Sequence, residues 1–259
     1  CPQGMAWGPP DFVGIGAQKA GTSWWYDLVC SHPAVYCHPT FHKERHYLSA
    51  LGAGYDLGVD RLAGYRAWFP RPPGTITGEW TPDYLYFHWV PELLARVAPS
   101  AKLIVLLRDP IQRFCSGLAH QAANGSAGSA AGAEEAFGRG LYAAQLARWS
   151  CYFPPEQFLV LQYERCRRDP AAQLAATYAF LGVDVGFVPS RLADAPPPAA
   201  GGRPVLSEER RSLLARLYEP DVAALARRFP EIDLGLWPDF DRGTVAAAPH
   251  QRGREAAKA

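Results

Sequence analysis

The segment between residues 11 and 25 combines residue types that could bind a phosphate or a sulfate group. A short apolar run is followed by small residues around Lys19, and Thr22 and Ser23 then begin a predicted helix. The glycines of this segment would let the backbone approach a ligand, and Lys19 would add positive charge to the free N–H groups of the helix N-terminus. The segment therefore predicts an anion-binding loop between a strand and a helix.

The position of Lys19 separates this loop from two common nucleotide-binding motifs. A nucleotide-triphosphate P-loop has its lysine directly before Ser or Thr, whereas Lys19 precedes Gly21. The dinucleotide fingerprint is not matched either, because four residues rather than two stand between Gly16 and Gly21. The order Lys-x-Gly-Thr-Ser resembles instead the loop with which sulfotransferases hold 3′-phosphoadenosine 5′-phosphosulfate (PAPS). For so short a motif, a lysine that only caps a strand-to-helix turn is the alternative.

A second anion-binding junction is predicted directly after the apolar run 101–107, which is typical of a buried parallel strand. Arg108 comes first, Asp109 suits the N-cap of the next helix, and Pro110 suits its first position. Open parallel sheets bind ligands beyond the carboxyl ends of their strands. We therefore expect Lys19 and Arg108 to lie at the same edge of one sheet.

Two further segments contain acid–base or aromatic groups. Residues 42–48 place two histidines, Lys43 and Glu44 within a few positions. Such a cluster is unusual for a plain loop, although a solvated turn would explain these residues taken singly. Glu79 is followed by a dense aromatic group up to Trp89. Those aromatic rings could belong to the core, or they could form the wall of a pocket for an apolar or sugar acceptor.

The predicted fold class is α/β, with a P-loop-like central parallel β-sheet flanked by helices. Strands are expected near residues 12–15, 35–37, 75–79, 101–107 and 158–161. A length of 259 residues suits one domain, and the sequence has no obvious internal boundary. We expect a single domain over residues 1–259, with a core from about 11 to 240 and a disordered tail from 241 to 259.

The composition limits the classes of partner. With 26 basic and 25 acidic residues the chain is nearly neutral, so neither general nucleic-acid binding nor membrane-surface binding is indicated. The six cysteines form no C-x-x-C pair, so we expect no cysteine metal site, and a disulfide framework is not indicated. The sequence has no apolar run of membrane-spanning length and no basic region followed by an apolar core near its start. These features predict a small ligand, no metal, and a soluble cytoplasmic protein.

Several blocks between residues 11 and 240 are similar to the PAPS-dependent sulfotransferases, most of all to the branch of heparan sulfate N- and O-sulfotransferases and related bacterial enzymes. The block Arg108-Asp-Pro-x-x-Arg-x-x-Ser116 stands at the family's spacing from Lys19. The resemblance implies that Lys19 contacts the phosphosulfate bridge and that Arg108 and Ser116 hold the 3′-phosphate. It also implies a sulfotransferase fold.

Three other blocks extend the resemblance. The segment 43–48 is similar to the family's Lys-Glu-x-His-Phe-Phe segment, whose glutamate is taken as the base, so Glu44 is the first candidate. The segment 79–84 is similar to a Glu-Lys-Thr-Pro-x-Tyr segment near the acceptor. The implied catalytic residues are Glu44, Lys19, His46 and Glu79. The implied donor site, to which Gly140-Leu-Tyr142 contributes the third block, consists of Lys19, Ala20, Gly21, Thr22, Ser23, Trp24, Arg108, Ser116, Tyr142 and Arg203.

The sequence departs from the family at three places. Trp80 replaces the lysine that usually follows the second glutamate, which removes a cation and offers a stacking surface for the acceptor. The family's Lys-Gly-Arg donor loop would fall near Gly201-Gly-Arg203, where the lysine is missing. The cysteine pair of the extracellular relatives is absent around residues 193–202, which fits a reducing compartment.

The residues and the resemblance together predict in-line transfer of a sulfuryl group from PAPS to a hydroxyl, or less favourably an amine, of a small-molecule, lipid or saccharide acceptor. Glu44 would take the hydroxyl proton, with His46, Glu79 and His88 as the other candidate bases. Two alternatives are a nucleotide-dependent kinase of P-loop type, disfavoured by the position of Lys19, and a noncatalytic nucleotide-binding module. The joint presence of the predicted donor and base residues disfavours the second.

Overall fold

A computed structural model describes residues 4–38, 43–50, 64–125, 128–194 and 205–241. Within these residues the centre of the fold is a parallel five-stranded sheet in the order β2-β3-β1-β4-β5. Its strands are β1 (Phe12–Gly16), β2 (Val35–Tyr36), β3 (Ile76–Trp80), β4 (Lys102–Leu107) and β5 (Phe158–Gln162). The predicted fold class, a parallel sheet with flanking helices, is confirmed.

The helices alternate with the strands, as parallel pairing requires. They are α1 (Thr22–Cys30), α2 (Tyr47–Ala50), α3 (Val90–Val97), α4 (Pro110–Ala123), α5 (Ala130–Gly138), α6 (Tyr142–Trp149), α7 (Tyr163–Arg168), α8 (Pro170–Leu181) and α9 (Glu208–Arg228), with 3₁₀ turns at Pro155–Gln157 and Leu234–Leu236. Asp109 caps α4 as predicted, since its Oδ1 accepts from the backbone N–H groups of Ile111 at 2.8 Å and Gln112 at 2.9 Å.

The central strand β1 is completely buried between its neighbours and carries glycine where Trp80 packs. Gly14 and Trp80 are direct partners in the parallel register of β1 and β3, and a Cβ atom on Gly14 would lie 2.0 Å from Trp80 Cδ2. The indole N–H of Trp80 donates to the carbonyl of Gly16 at 3.2 Å, and the residue has no exposed surface. Trp80 is therefore a core residue, and the expected stacking surface for an acceptor is wrong.

A disulfide joins Cys30 at the end of α1 to Cys37 just after β2, with a Cα–Cα distance of 5.7 Å. The chain reverses between the helix and the strand, so two cysteines seven positions apart come within bonding reach. The sequence indicated no disulfide framework, and this single disulfide was not predicted. Because disulfides persist mainly in oxidising compartments, the expected cytoplasmic location loses the support that it drew from the cysteines.

Two predictions lie outside the described residues, namely the donor-loop residue Arg203 and the tail after residue 241. In the part of the chain that the structure describes, no helix has both the length and the apolar character needed to cross a bilayer. The same part contains no group of three or more His, Cys, Asp or Glu side chains arranged for a metal ion.

We predict that Gly14→Ala destabilises the protein by roughly 3 kcal/mol, because the added methyl group would overlap the Trp80 indole. Urea unfolding followed by tryptophan fluorescence measures the change. Gly117→Ala in α4 is the matched control, since its new Cβ would meet no atom closer than 3.5 Å. Equal stability of Gly14→Ala and the wild type would contradict the packing of Trp80 on β1.

Candidate active site

The loop after β1 leads into α1 and leaves the start of that helix open. Gly21 occupies the N-cap in a left-handed conformation with a φ of 88°, and no side chain caps the helix. A Cβ at Gly21 would lie 2.6 Å from Tyr163 Cε2, so only glycine fits between the loop and that ring. Uncapped N–H groups and the helix dipole favour an anion at this position. The half-buried Lys19 stands two residues before it.

Arg108 lies beside the Lys19 loop, as the sheet topology predicts. Its Nη1 donates to the backbone carbonyl of Lys19 at 3.2 Å, and its guanidinium carbon is 5.1 Å from the centre of the Tyr163 ring. Ser116 is buried, two turns along α4 from the same strand end. The two predicted anion-binding junctions, at the ends of β1 and β4, therefore adjoin each other.

Tyr142, predicted to be in the donor site, is hydrogen-bonded to the backbone of Arg108. The residue is fully buried, and its hydroxyl donates to the carbonyl of Arg108 at 2.8 Å. Its hydroxyl is thus used within the protein. Trp24, another predicted donor residue, has a buried indole N–H with no partner among the described residues, and its ring meets Tyr163 edge-on at 6.3 Å.

Sequence analysis missed two residues that fix the Arg108 junction. The backbone N–H of Asp109 donates to Glu164 Oε1 at 3.0 Å, and the indole N–H of Trp237 donates to Glu164 Oε2 at 2.9 Å. Glu164 lies two residues after the carboxyl end of β5. The expectation that ligands bind beyond the carboxyl ends of parallel strands, which identified Lys19 and Arg108, therefore also applies to Glu164. No pattern in the sequence links Trp237 to this site.

The segment that carries the candidate base lies against the end of β3. The backbone N–H of Glu44 donates to the carbonyl of Trp80 at 3.1 Å, and its half-exposed carboxylate forms an ion pair with Lys43 through Oε1. His46 lies 3.7 Å from Glu44 Oε2 through its Nε2, and 2.9 Å from Asp83 Oδ2 through its Nδ1. Sequence analysis did not identify Asp83.

Electrostatic coupling connects this segment to the anion-binding loop. Burial lowers the pKa of Lys19, and the positive charges of Arg108 and Lys43 act in the same direction. The negative charge of Glu44 opposes them and is the second largest influence on this pKa. Glu44 is therefore close enough to Lys19 to influence its pKa, as expected if both serve one reaction.

Backbone strain is concentrated at three of the predicted catalytic residues. Among the described residues, the non-glycine positions with positive φ are Lys19 at 68°, Glu44 at 57° and His46 at 53°. Each such residue costs of order 1–3 kcal/mol, and residues of this kind cluster at functional sites. The strain thus marks the same residues as the motifs do.

Glu79, predicted as a catalytic candidate, lies in the protein interior. It has no exposed surface, and it accepts hydrogen bonds from the hydroxyl groups of Tyr65 at 2.5 Å, Tyr84 at 3.1 Å and Thr81. Burial raises the pKa of this carboxyl against the effect of these bonds. A carboxylate held by three hydroxyls beneath the surface is placed to fix the segment after β3 rather than to reach an acceptor.

Comparison with known proteins agrees with this geometry. A family model described as "Sulfotransferase domain" matches residues 9–194. The chain belongs to the sulfotransferase family. It is 30% identical over 199 residues to the human bifunctional heparan sulfate N-deacetylase/N-sulfotransferase 3, and 32% identical over 188 residues to the mouse heparan sulfate glucosamine 3-O-sulfotransferase 6. Each alignment covers 67% of this chain. These relatives confirm the resemblance to the heparan sulfate branch.

A solved structure supports the sulfotransferase fold over most of the chain. The crystal structure of a sulfotransferase from Alicyclobacillus acidocaldarius matches with a TM-score of 0.71 and 25% sequence identity, covering 88% of this chain and 98% of that one. The chain spans 22% of the length of the human relative and 52% of the length of the mouse relative. The match to these larger proteins is therefore a match to one part of each.

We predict a pH-dependent stability difference at the N-cap of α4. Burial raises the pKa of Asp109 from 3.8 to about 6, with Asp239 and Glu164 adding to the shift. The folded state thus binds the Asp109 proton more tightly than the unfolded state does. Binding of this proton stabilises the fold at low pH, and this stabilisation is lost as the pH rises through about 6. Asp109→Asn keeps the cap and removes the titration.

Relative to Asp109→Asn, the unfolding free energy of the wild type should fall by up to about 3 kcal/mol between pH 3.8 and about 6. Urea titrations across this range measure the difference, with Asp169→Asn at the exposed N-cap of α8 as the matched control. A difference that does not change with pH, or that changes in the opposite direction, would contradict the assignment.

Proposed function

We propose that this sulfotransferase chain moves a sulfuryl group from PAPS to a hydroxyl group of a saccharide or small-molecule acceptor. The observation that carries the proposal is the hydrogen bond between Arg108 and the backbone of Lys19, which joins two anion-binding junctions at one edge of the sheet. A nucleotide with phosphate groups at both its 3′ and 5′ positions needs two such sites side by side. Both sites come from strand ends, where parallel sheets bind ligands.

The donor would lie across these two junctions. The uncapped start of α1, with Gly21, Thr22 and Ser23, would donate backbone and hydroxyl groups to the 5′-phosphate. Arg108 and Ser116 would hold the 3′-phosphate. Trp24 offers an indole beside the junction, and Ala20 is buried in the loop, where a small side chain leaves room for close backbone approach. Tyr142 would act through Arg108, whose carbonyl it binds.

In this mechanism Glu44 removes the proton from the acceptor hydroxyl as the oxygen attacks sulfur. The bond between sulfur and the phosphate oxygen breaks on the opposite side, and negative charge grows on that oxygen. The Lys19 ammonium and the N-terminal amides of α1 stabilise the growing charge. Positioning of both substrates at fixed sites would supply much of the remaining rate enhancement.

Segment 79–84, which the resemblance places near the acceptor, carries less positive charge in this chain than in the family. The acceptor pocket would therefore differ from one that binds a highly charged saccharide. Both relatives are named for heparan sulfate, and the mouse relative is named for its glucosamine units. In this chain the position after Glu79 carries a buried tryptophan instead of the family's lysine, so no cation is available there. The missing cation favours an acceptor of lower charge than heparan sulfate.

We predict that Glu44→Gln lowers kcat by about 10²–10⁴-fold, because general-base catalysis contributes a factor of this size. Affinity for 3′-phosphoadenosine 5′-phosphate should stay within twofold of the wild type. The measurement is sulfuryl transfer from radiolabelled PAPS to a panel of sugars and small alcohols, beside calorimetric titration of the nucleotide. Glu92→Gln, on the exposed face of α3, is the control.

Full turnover by Glu44→Gln would remove Glu44 from the role of base and favour His46. A wild-type protein that binds the nucleotide but transfers sulfate to no acceptor would favour the noncatalytic alternative.

A further inference from the structure

Asp83 connects segment 79–84 to His46, the neighbour of the candidate base Glu44. It stands at the position that the family's Glu-Lys-Thr-Pro-x-Tyr block leaves open, so the resemblance assigns it no role. Its Oδ2 lies 2.9 Å from His46 Nδ1, although 37 positions separate the two residues along the chain. Its Oδ1 is buried without a hydrogen-bond partner among the described residues. Within the described ranges, His46 is therefore the side chain to which this carboxylate is hydrogen-bonded.

This contact sets the protonation pattern of the His46 ring. An ionised carboxylate can only accept hydrogen bonds, so Nδ1 must carry a hydrogen. The other ring nitrogen, Nε2, then points toward Glu44 Oε2 at 3.7 Å. Lys43 occupies the other carboxylate oxygen of Glu44, Oε1. The two oxygens of the base thus face a lysine on one side and an imidazole nitrogen on the other.

The backbone of Asp83 is fixed by hydrogen bonds, and its side chain is less exposed than those of His46 and Glu44. Its backbone carbonyl accepts from the N–H groups of Tyr86 at 3.0 Å and Phe87 at 3.3 Å, which closes a turn after β3. Two residues earlier, the N–H of Thr81 donates to Gly14 on the central strand at 2.9 Å. Its side chain is 14% exposed, whereas those of Glu44 and His46 are 44% and 49% exposed. The less exposed Asp83 is therefore suited to orient the more exposed ring of His46.

We propose that Asp83 is a positioning residue that holds the His46 ring with Nε2 toward Glu44. The inference rests on the proposed function, in which Glu44 takes the proton of the acceptor hydroxyl. Once protonated, Glu44 can pass its proton from Oε2 to His46 Nε2 when the two exposed side chains close the 3.7 Å between these atoms. The resulting imidazolium is stabilised by the carboxylate of Asp83, whose Oδ2 lies 2.9 Å from Nδ1. The exposed ring then releases the proton to solvent, and Glu44 returns to its ionised state for the next turnover.

The first test reads the His46 tautomer directly and needs no catalytic activity. In ¹H–¹⁵N spectra of protein labelled at histidine, the His46 signals are assigned by their loss in His46→Ala. The neutral ring should carry its hydrogen on Nδ1 in the wild type and shift to the Nε2–H form favoured by free imidazole in Asp83→Ala. A wild-type ring that carries its hydrogen on Nε2 would overturn the proposal.

The second test is a double-mutant cycle on turnover. Asp83→Ala should lower kcat about tenfold with little change in the KM for PAPS, a size typical of coupling between contacting residues. In a His46→Ala background the same substitution should change kcat less than twofold. An equal loss of kcat in both backgrounds would mean that Asp83 acts by another route. Asp27→Ala, on the exposed surface of α1, is the control for a lost aspartate.

Failure of the proposed function is distinguishable from failure of this inference. If the wild-type protein neither binds the 3′-phosphorylated nucleotide nor transfers sulfate, the proposed function fails. The tautomer experiment still decides whether Asp83 orients His46. If transfer is found and the two variants act independently, the proposed function stands and the positioning role falls.

Discussion

The packing of Trp80 against Gly14 is the constraint on which the rest of the site depends. The Trp80 indole fills the space that a side chain at position 14 of β1 would occupy. Its N–H donates a hydrogen bond to the carbonyl of Gly16, the last residue of β1 before the Lys19 loop. The backbone carbonyl of Trp80 holds the amide of Glu44. One buried residue therefore links the anion-binding loop to the segment of the candidate base. Backbone strain such as that at Lys19 and Glu44 persists only where surrounding contacts fix the backbone, and the Trp80 contacts are of this kind.

A second layer of contacts fixes the other anion site. Glu164 accepts from the backbone of Asp109, and Tyr142 donates to the carbonyl of Arg108. With the backbone of Arg108 and Asp109 held by these bonds, the Arg108 guanidinium lies near the Lys19 loop, where its Nη1 donates to a backbone carbonyl. The sulfotransferase fold thus places residues from strands far apart in sequence around one edge of the sheet. Supporting bonds of this type are what keep a binding site at a fixed geometry.

Much of the fold, and the meeting of the two strand-end junctions at Lys19 and Arg108, could be predicted because local patterns encode them. Continuous apolar runs identified the buried strands, and the N-cap residue Asp109 identified the start of α4. Lys19 and Arg108 were found because strand ends and small residues leave a clear signal in the sequence. Both strand ends then met at one edge, since parallel pairing brings carboxyl ends together.

The remaining features depend on contacts that sequence patterns do not encode. A strand buried on both faces gives no alternation from which to decide where the Trp80 ring points. The Cys30–Cys37 disulfide depends on how sharply the chain reverses after α1. The contact between His46 and Asp83 joins segments that are neighbours only in the folded protein. Glu79 belonged to a recognisable block, but its burial under three hydroxyl groups was visible only in three dimensions.

Calorimetric titration with 3′-phosphoadenosine 5′-phosphate beside adenosine 5′-phosphate tests the central claim most directly, because the two nucleotides differ only in the 3′-phosphate. The account predicts clearly tighter binding of the 3′-phosphorylated nucleotide by the wild type, and loss of most of this preference in Arg108→Ala. Equal affinity of the wild type for both nucleotides, or an unchanged preference in Arg108→Ala, would contradict the assignment of two adjoining anion sites.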